Sequence, residues 1–357
     1  MVARKKETGG CRSDSQIVCV MNFGDIIGQK NVIKSLKNSI INNMVSHAYI
    51  FEGPEGIGKK TVSSVFANAL LCESGQAEPC QHCRSCVKYS SKNHPDIKTV
   101  MISDSAFIGV DAIREFRKDV YIKPYESLRK IYIINDADKM TVQAQNSLLK
   151  VLEEPPEYAV IILNAVNASL LLPTILSRAV LIRFQVHPNQ EVERFLRRDY
   201  PHLDELIPFI SMFSGGVIGK AKAIAESEQF HEMRQKLLGI IMDLLDTSEK
   251  KILDDVVYFL DNKQHIDVMM DILVSWFRDI LFMKELHHNH MVINIDKQKE
   301  LSAFSQKVSR RAVVKIVDRI LDIKKKISMN ANYNLAIETM LIQSWEEIHG
   351  RSSGSQI

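Results

Sequence analysis

Residues 47–61, HAYIFEGPEGIGKKT, constrain this chain more than any other stretch. Residues 48–51 form a short apolar run of strand-forming residues, after which Gly53, Gly56 and Gly58 open a loop. Lys59 leads into a segment where Val62, Val65, Phe66, Ala69 and Leu70 share one helical face. Strand, glycine loop, lysine and helix together make a phosphate cradle. Backbone N–H groups at the helix start point at the anion, and the lysine ammonium reaches its terminal phosphates. The pattern is nonetheless incomplete. Where a hydroxyl should bind Mg²⁺ the chain has Lys60, and Thr61 comes one position late. One residue turns a helical side chain by about 100°, so Thr61 does not substitute. A degenerate nucleotide fold is expected, rather than a plain turn or an intact ATPase.

The second half of such a fold can be read further along. Residues 23–29 (FGDIIGQ) precede a helix with Val32, Leu36 and Ile40 on its apolar face. Residues 97–102 read as a strand, and Asp111 as the N-cap of a helix running to about Val120. Residues 130–136 (KIYIIND) have the form of a Walker B strand, which needs an aspartate for the magnesium shell and a glutamate to activate water. Asn135 and Asp136 stand there instead, so the site has lost metal-organising groups on both sides and Mg²⁺ is not expected. Residues 141–154 read as a helix stopped by Pro155 and Pro156, with further strands at 159–163 and 180–184. Strands alternating with helices predict an α/β fold with a parallel, doubly wound sheet.

Cys72, Cys80, Cys83 and Cys86 carry a second chemistry. Two overlapping C-x-x-C steps let thiolates converge on one tetrahedral ion, with Cys72 arriving from the preceding helix. Zinc suits such a set, and four protein ligands close the sphere, so its role would be structural. The ligand count also admits a [4Fe–4S] cluster, though the spacing suits zinc better, and His82 and His94 compete for the fourth position. Residues 1–20 open basic and polar and hold a four-residue apolar run, too short for a signal-peptide core. They read as a disordered extension with Met21 as the functional start, Cys11 and Cys19 being incidental. The cysteines then belong to a reducing cytoplasm. With 46 basic against 43 acidic residues, charge alone does not argue for nucleic acid, and no apolar run is long enough to span a membrane.

The series FGDIIGQ, GPEGIGKK, the four cysteines, NHPD, IYIINDADKM, QAQNSLLKVLEEPP and PTILSR resembles the bacterial DNA polymerase III clamp-loader family. The resemblance covers Met21 to roughly Ile224 and continues weakly to Ile348. The degenerate P-loop and Walker B side with its delta-prime branch rather than its ATP-hydrolysing gamma/tau branch. It implies an AAA+ module at 21–184 with a zinc-binding insertion at 72–86, a helical lid at 185–228, a helical collar at 229–349 and a tail at 350–357. It also implies partners: gamma/tau and delta subunits in a ring that places the sliding clamp on primed DNA. Ser177 and Arg178 resemble the family's serine-arginine pair, whose arginine reaches the neighbouring subunit's ATP; Ala179 replaces the cysteine that follows. Residues 164–167 sit where sensor 1 belongs but lack its usual threonines. Residues 215–221 resemble sensor 2, with Gly219 where an ATP-binding relative carries arginine and Lys220 beside it.

Two readings stand at this point. One is an assembly subunit that lends an arginine to its neighbour and has no turnover of its own. The other is an active gamma/tau-like ATPase, which would need Ser or Thr at 60 and an acid at 135. Whether nucleotide still binds stays open, since Lys60 either supplies a cation in place of Mg²⁺ or simply fills the site. Beyond Pro188 the pattern is helical, with lid helices at 191–198 and 203–213, a break at Gly215-Gly216, and amphipathic stretches at 229–246, 252–260, 268–286, 310–327 and 335–348. His287, His288 and His290 read as a polar loop, as no acid or thiol completes a metal site. Glu153 and Glu154 oppose the macrodipole at their helix end, which a functional contact would explain.

Overall fold

The computed structural model describes residues 22–100, 107–246, 249–285 and 291–350. These fall into two compact units, one running up to Phe195 and including Gly216–Lys220, the other holding Leu196–Gly215 and everything from Ala221. The first unit is built on five parallel strands: β1 (Ala48–Glu52), β2 (Ile97–Val100), β3 (Lys130–Ile134), β4 (Ala159–Ala165) and β5 (Val180–Arg183), in the order β2-β3-β4-β1-β5. The strands pair in register, Ile50 against Leu163 and Tyr132 against Ile161. With a glycine loop following β1, the central strand pair carries the site at its C-terminal edge, as the AAA+ reading requires.

The period-two alternation of the strands divides the core into two layers. Ile50, Tyr132 and Ile161 face α4 (Val110–Val120) and α5 (Val142–Glu153), through Phe116, Leu148 and Val151. Tyr49, Phe51, Ile131 and Ile162 face α1 (Lys30–Ile41) and α2 (Lys59–Leu71), through Leu36, Val62 and Phe66. Short helices α3 (Arg84–Ser90) and α6 (Pro173–Leu176) join the loops, and α7 (Asn189–Asp199) follows β5. Thr141 caps α5 rather than opening it as a helical residue, accepting the Ala144 N–H at 3.2 Å. The cap of α4 differs from expectation. It is Gly109, because Ile108 bridges to Met140 and turns the chain into the helix two residues sooner. Asp111 instead lies in the first turn, where an acid complements the dipole, and pairs with Arg114.

The second unit is helical: α8 (Ile207–Phe213), most of α9 (Ile218–Glu226), then α10 (Glu228–Asp246), α11 (Glu249–Asp261), α12 (Ile266–Glu285), α13 (Gln298–Lys307), α14 (Arg310–Ser328) and α15 (Tyr333–His349). The stretch read as one helix at 203–213 begins as a helix only at Ile207, with Pro208 in its first turn, where its missing N–H costs nothing. A short helix absent from the sequence reading, α13, packs Phe304 edge-on to Trp276 and Phe277 of α12. Buried Arg234 of α10 binds both carboxylate oxygens of Asp296 at 2.8 Å and the Asn294 amide oxygen at 3.0 Å. Its guanidinium carbon sits 3.5 Å above the Phe209 ring. Asp279, fully buried, accepts N–H groups from Ile293 and Asn294, so the segment after α12 is pinned by charge from two helices. The histidines at 287, 288 and 290, with Cys11, Cys19 and the expected start at Met21, lie outside the described residues.

Candidate functional site

The glycine loop has the backbone that its sequence requires. Gly56 and Gly58 hold φ values of 79° and 105°, where a side chain would be strained. Lys59 does not point outward. Its ammonium donates to the carbonyls of Gly53 and, at 2.8 Å, Pro54, and the residue is 7% exposed. Burial pulls its pKa below the ordinary lysine value, against the carboxylates of Asp138, Asp136 and Glu55.

Behind the loop a chain of neutral groups crosses from α2 to the sheet. Ser63 Oγ lies 2.8 Å from Asn164 Oδ1, and the Asn164 amide donates at 2.8 Å to Asn135 Oδ1. Beside it the Lys60 ammonium stands 3.4 Å from Asp136 Oδ2. Of the two positions that the P-loop and Walker B patterns give to magnesium, 60 thus carries an ammonium group and 135 an amide. Thr61 takes part in none of these bonds. Gly219 donates its N–H to Gly56 O at 2.9 Å, and a Cβ there would come within 2.6 Å of the same oxygen. The start of α9 and the glycine loop therefore touch backbone to backbone, leaving no room for a side chain at 219.

The cysteine cluster lies beside this fold. The Sγ atoms of Cys72, Cys80, Cys83 and Cys86 are all within 4.8 Å of one another, and Cys72 and Cys83 are 3.9 Å apart. Four sulfurs about 2.3 Å from a tetrahedral ion lie about 3.8 Å from each other. The donor set thus fits a single metal ion. Backbone N–H groups of Cys80, Cys83 and Cys86 point at the sulfurs of Cys72, Cys80 and Cys83 at 3.3–3.4 Å. Burial acts against ionisation of Cys72, but hydrogen bonds from Ser74 and Cys80 outweigh it and hold the thiol at about 6. Neither histidine competes. His82 is exposed and turned to the Cys80 carbonyl, while buried His94 binds Ser85 Oγ at 2.9 Å and the Asp96 N–H at 3.1 Å.

That second histidine belongs to a device the sequence reading missed. Asp96, fully buried, accepts three N–H groups, from Tyr125 at 2.6 Å, Glu126 at 2.9 Å and Ser127 at 2.8 Å. Burial opposes its charge, yet these bonds keep its pKa below the ordinary aspartate value. The loop so fixed presents Tyr121, Ile122, Tyr125 and Leu128 to solvent, the last 95% exposed. The buried carboxylate thus ties down the loop that carries this exposed apolar surface. The aspartate of NHPD was its signal.

Arg178 follows α6. Its guanidinium donates to Thr174 O at 3.0 Å and pairs with Glu153 Oε1 at 3.1 Å. Ser177 Oγ donates to the same Thr174 carbonyl at 3.1 Å. Glu153, unfavourable at the end of α5, thus has its cation. None of these bonds reaches the phosphate loop or residues 135–136, and the arginine side chain is 36% exposed.

Similar proteins place this arrangement. A family model described as "DNA polymerase III, delta subunit" matches residues 28–188, and one described as "DNA polymerase III, delta subunit, C terminal" matches residues 228–347. The DNA polymerase III subunit delta' of Bacillus subtilis is 30% identical over 323 residues, 89% of this chain and 96% of that protein. The chain belongs to the DNA polymerase III delta' family. The tau subunit of the same organism is 35% identical over 171 residues, which is 48% of this delta' family chain but 30% of tau. A DNA polymerase III gamma-subunit-related protein of Thermotoga maritima aligns over 88% of the chain and 99% of its own, with 21% identity and a TM-score of 0.44. No helix among the described residues is long and apolar enough to cross a membrane.

Proposed function

We propose that this delta' family chain is a cytoplasmic clamp-loader subunit that turns over no ATP of its own and lends Arg178 to a neighbouring ATPase subunit. Its partners are then gamma/tau and delta subunits, with the sliding clamp and primed DNA met through the assembled ring. The observation that carries the reading is the amide chain Ser63–Asn164–Asn135 flanked by the Lys60–Asp136 pair, standing where a hydrolysing site organises Mg²⁺. Lys59, committed to its own loop carbonyls, and Gly219, abutting Gly56, support it. Residues 185–228 serve as lid and 229–349 as the oligomerising collar. Purified alone, the chain should show no ATP hydrolysis above background in a coupled assay with Mg²⁺. Robust turnover by the isolated chain, abolished by Lys59→Ala, overturns the proposal in favour of a gamma/tau-like motor.

The metal in this reading is zinc, held by Cys72, Cys80, Cys83 and Cys86 to staple the loop between α2 and α3. Elemental analysis should find about one zinc per chain, following from one closed four-ligand site. Cys83→Ser should lose it and lower the melting temperature. Protein purified without chelators that holds iron, or no metal, contradicts the assignment.

A further inference from the structure

The outer face of α1 carries a groove of about 440 Å³ that none of the sites above uses. Its floor is apolar, formed by Phe23, Ile26 and Ile33, and it ends at Ile41, which is 67% exposed. Along it run Lys30, Lys34 and Lys37, at helical spacings of four and three, about 10 Å from first to last. Lys30 and Lys34 have no acidic partner among the described residues. Lys37 has one, and it shows what the groove accepts. Glu78, from the cysteine-bearing loop, pairs with Lys37 and takes the Phe23 N–H at 3.1 Å, while the Lys37 ammonium lies 5.5 Å above the Phe23 ring. One carboxylate is already seated at the groove edge, and two cations remain unanswered.

We propose that this groove docks an acidic amphipathic helix of a partner protein, with apolar side chains on the floor and carboxylates opposite Lys30 and Lys34. Helical spacing of the lysines favours a helix with acids at the same spacing. The chain's own first twenty residues are a poor occupant, carrying four basic side chains (Arg4, Lys5, Lys6 and Arg12) against two acidic ones (Glu7 and Asp14). An apolar floor beside two unpaired lysines sets this apart from a solvated charge run, since charge alone would not need exposed isoleucine.

The test is fluorescence anisotropy of the full chain with a labelled synthetic helical peptide. The probe carries glutamates at i, i+4 and i+7 and leucines on the adjoining stripe. Saturable binding is expected, weakened about tenfold or more in the double variant Lys30→Glu/Lys34→Glu, as two charge reversals at exposed pairs imply. Glu78→Ala should bind several-fold more tightly, because the internal carboxylate no longer competes. Lys30→Gln/Lys34→Gln, both exposed positions, keeps the fold and should also bind more weakly. Absence of saturable binding, equal binding by the charge-reversed chain, or equally tight binding of polyglutamate overturns the proposal. Self-association in sedimentation velocity that disappears in Lys30→Glu/Lys34→Glu, without peptide binding, also overturns it and assigns the groove to a second copy.

Discussion

Arg178→Ala should lower the clamp- and DNA-stimulated ATP hydrolysis of the reconstituted complex while leaving folding, zinc content and assembly intact. Phosphoryl transfer spreads charge over the transferring oxygens, and a planar, permanently charged guanidinium is suited to meet it. Removing such an arginine costs about 10³-fold or more at a single site. In a ring with several motor sites the bulk rate falls less, because one site alone loses its donor. Little stability is at stake, since the Arg178–Glu153 pair is half-exposed and contributes at most about 1 kcal/mol. On the proposed reading, the arginine would exchange Glu153 for a neighbour's phosphate. Glu153→Gln should leave the stimulated rate near that of the parent. Arg178→Lys should rescue poorly, because a point charge on a flexible stem does not reproduce the planar fork.

Arg234→Ala is the substitution with the largest expected effect on stability. It removes the guanidinium from a bidentate pair whose residues are nearly sealed from water and leaves Asp296 and Asn294 without their donor. It also strips Phe209 of the group stacked on its ring. Breaking a buried pair from one side costs about 3–5 kcal/mol, most of it the unanswered charge that stays behind. Urea unfolding should show that loss with an unchanged slope. Adding Asp296→Leu should recover part of it, because the orphaned carboxylate is gone. Failure of the second substitution to recover anything would mean that Arg234 acts mainly through packing on Phe209.

Much of this was legible in the sequence because it is local. Strand, glycine loop and lysine lie within fifteen residues, and the cysteines within another fifteen. The double-proline stop of α5 depends on neighbours alone. What stayed hidden depends on segments far apart in the chain. Gly219 was marked as a missing arginine, but the backbone approach to Gly56 that forbids any side chain there exists only after folding. Likewise Asp96 was one letter of NHPD until its carboxylate met the N–H groups of residues 125–127. Helix α13 escaped because Leu301 and Phe304 are its only buried residues, too few to establish a period. The displaced cap of α4 has the same origin, since the bridge from Ile108 to Met140 is a tertiary contact.

The proposed division of labour leaves this chain's own phosphate loop idle and gives its arginine to a neighbour's site. Two variants assembled into otherwise identical complexes separate these roles. Stimulated ATP hydrolysis and clamp loading should stay near the parent rate with Lys59→Ala, whose ammonium is spent on its own loop, and should fall sharply with Arg178→Ala. The reverse pattern, with Lys59→Ala crippling the complex and Arg178→Ala harmless, would contradict the account.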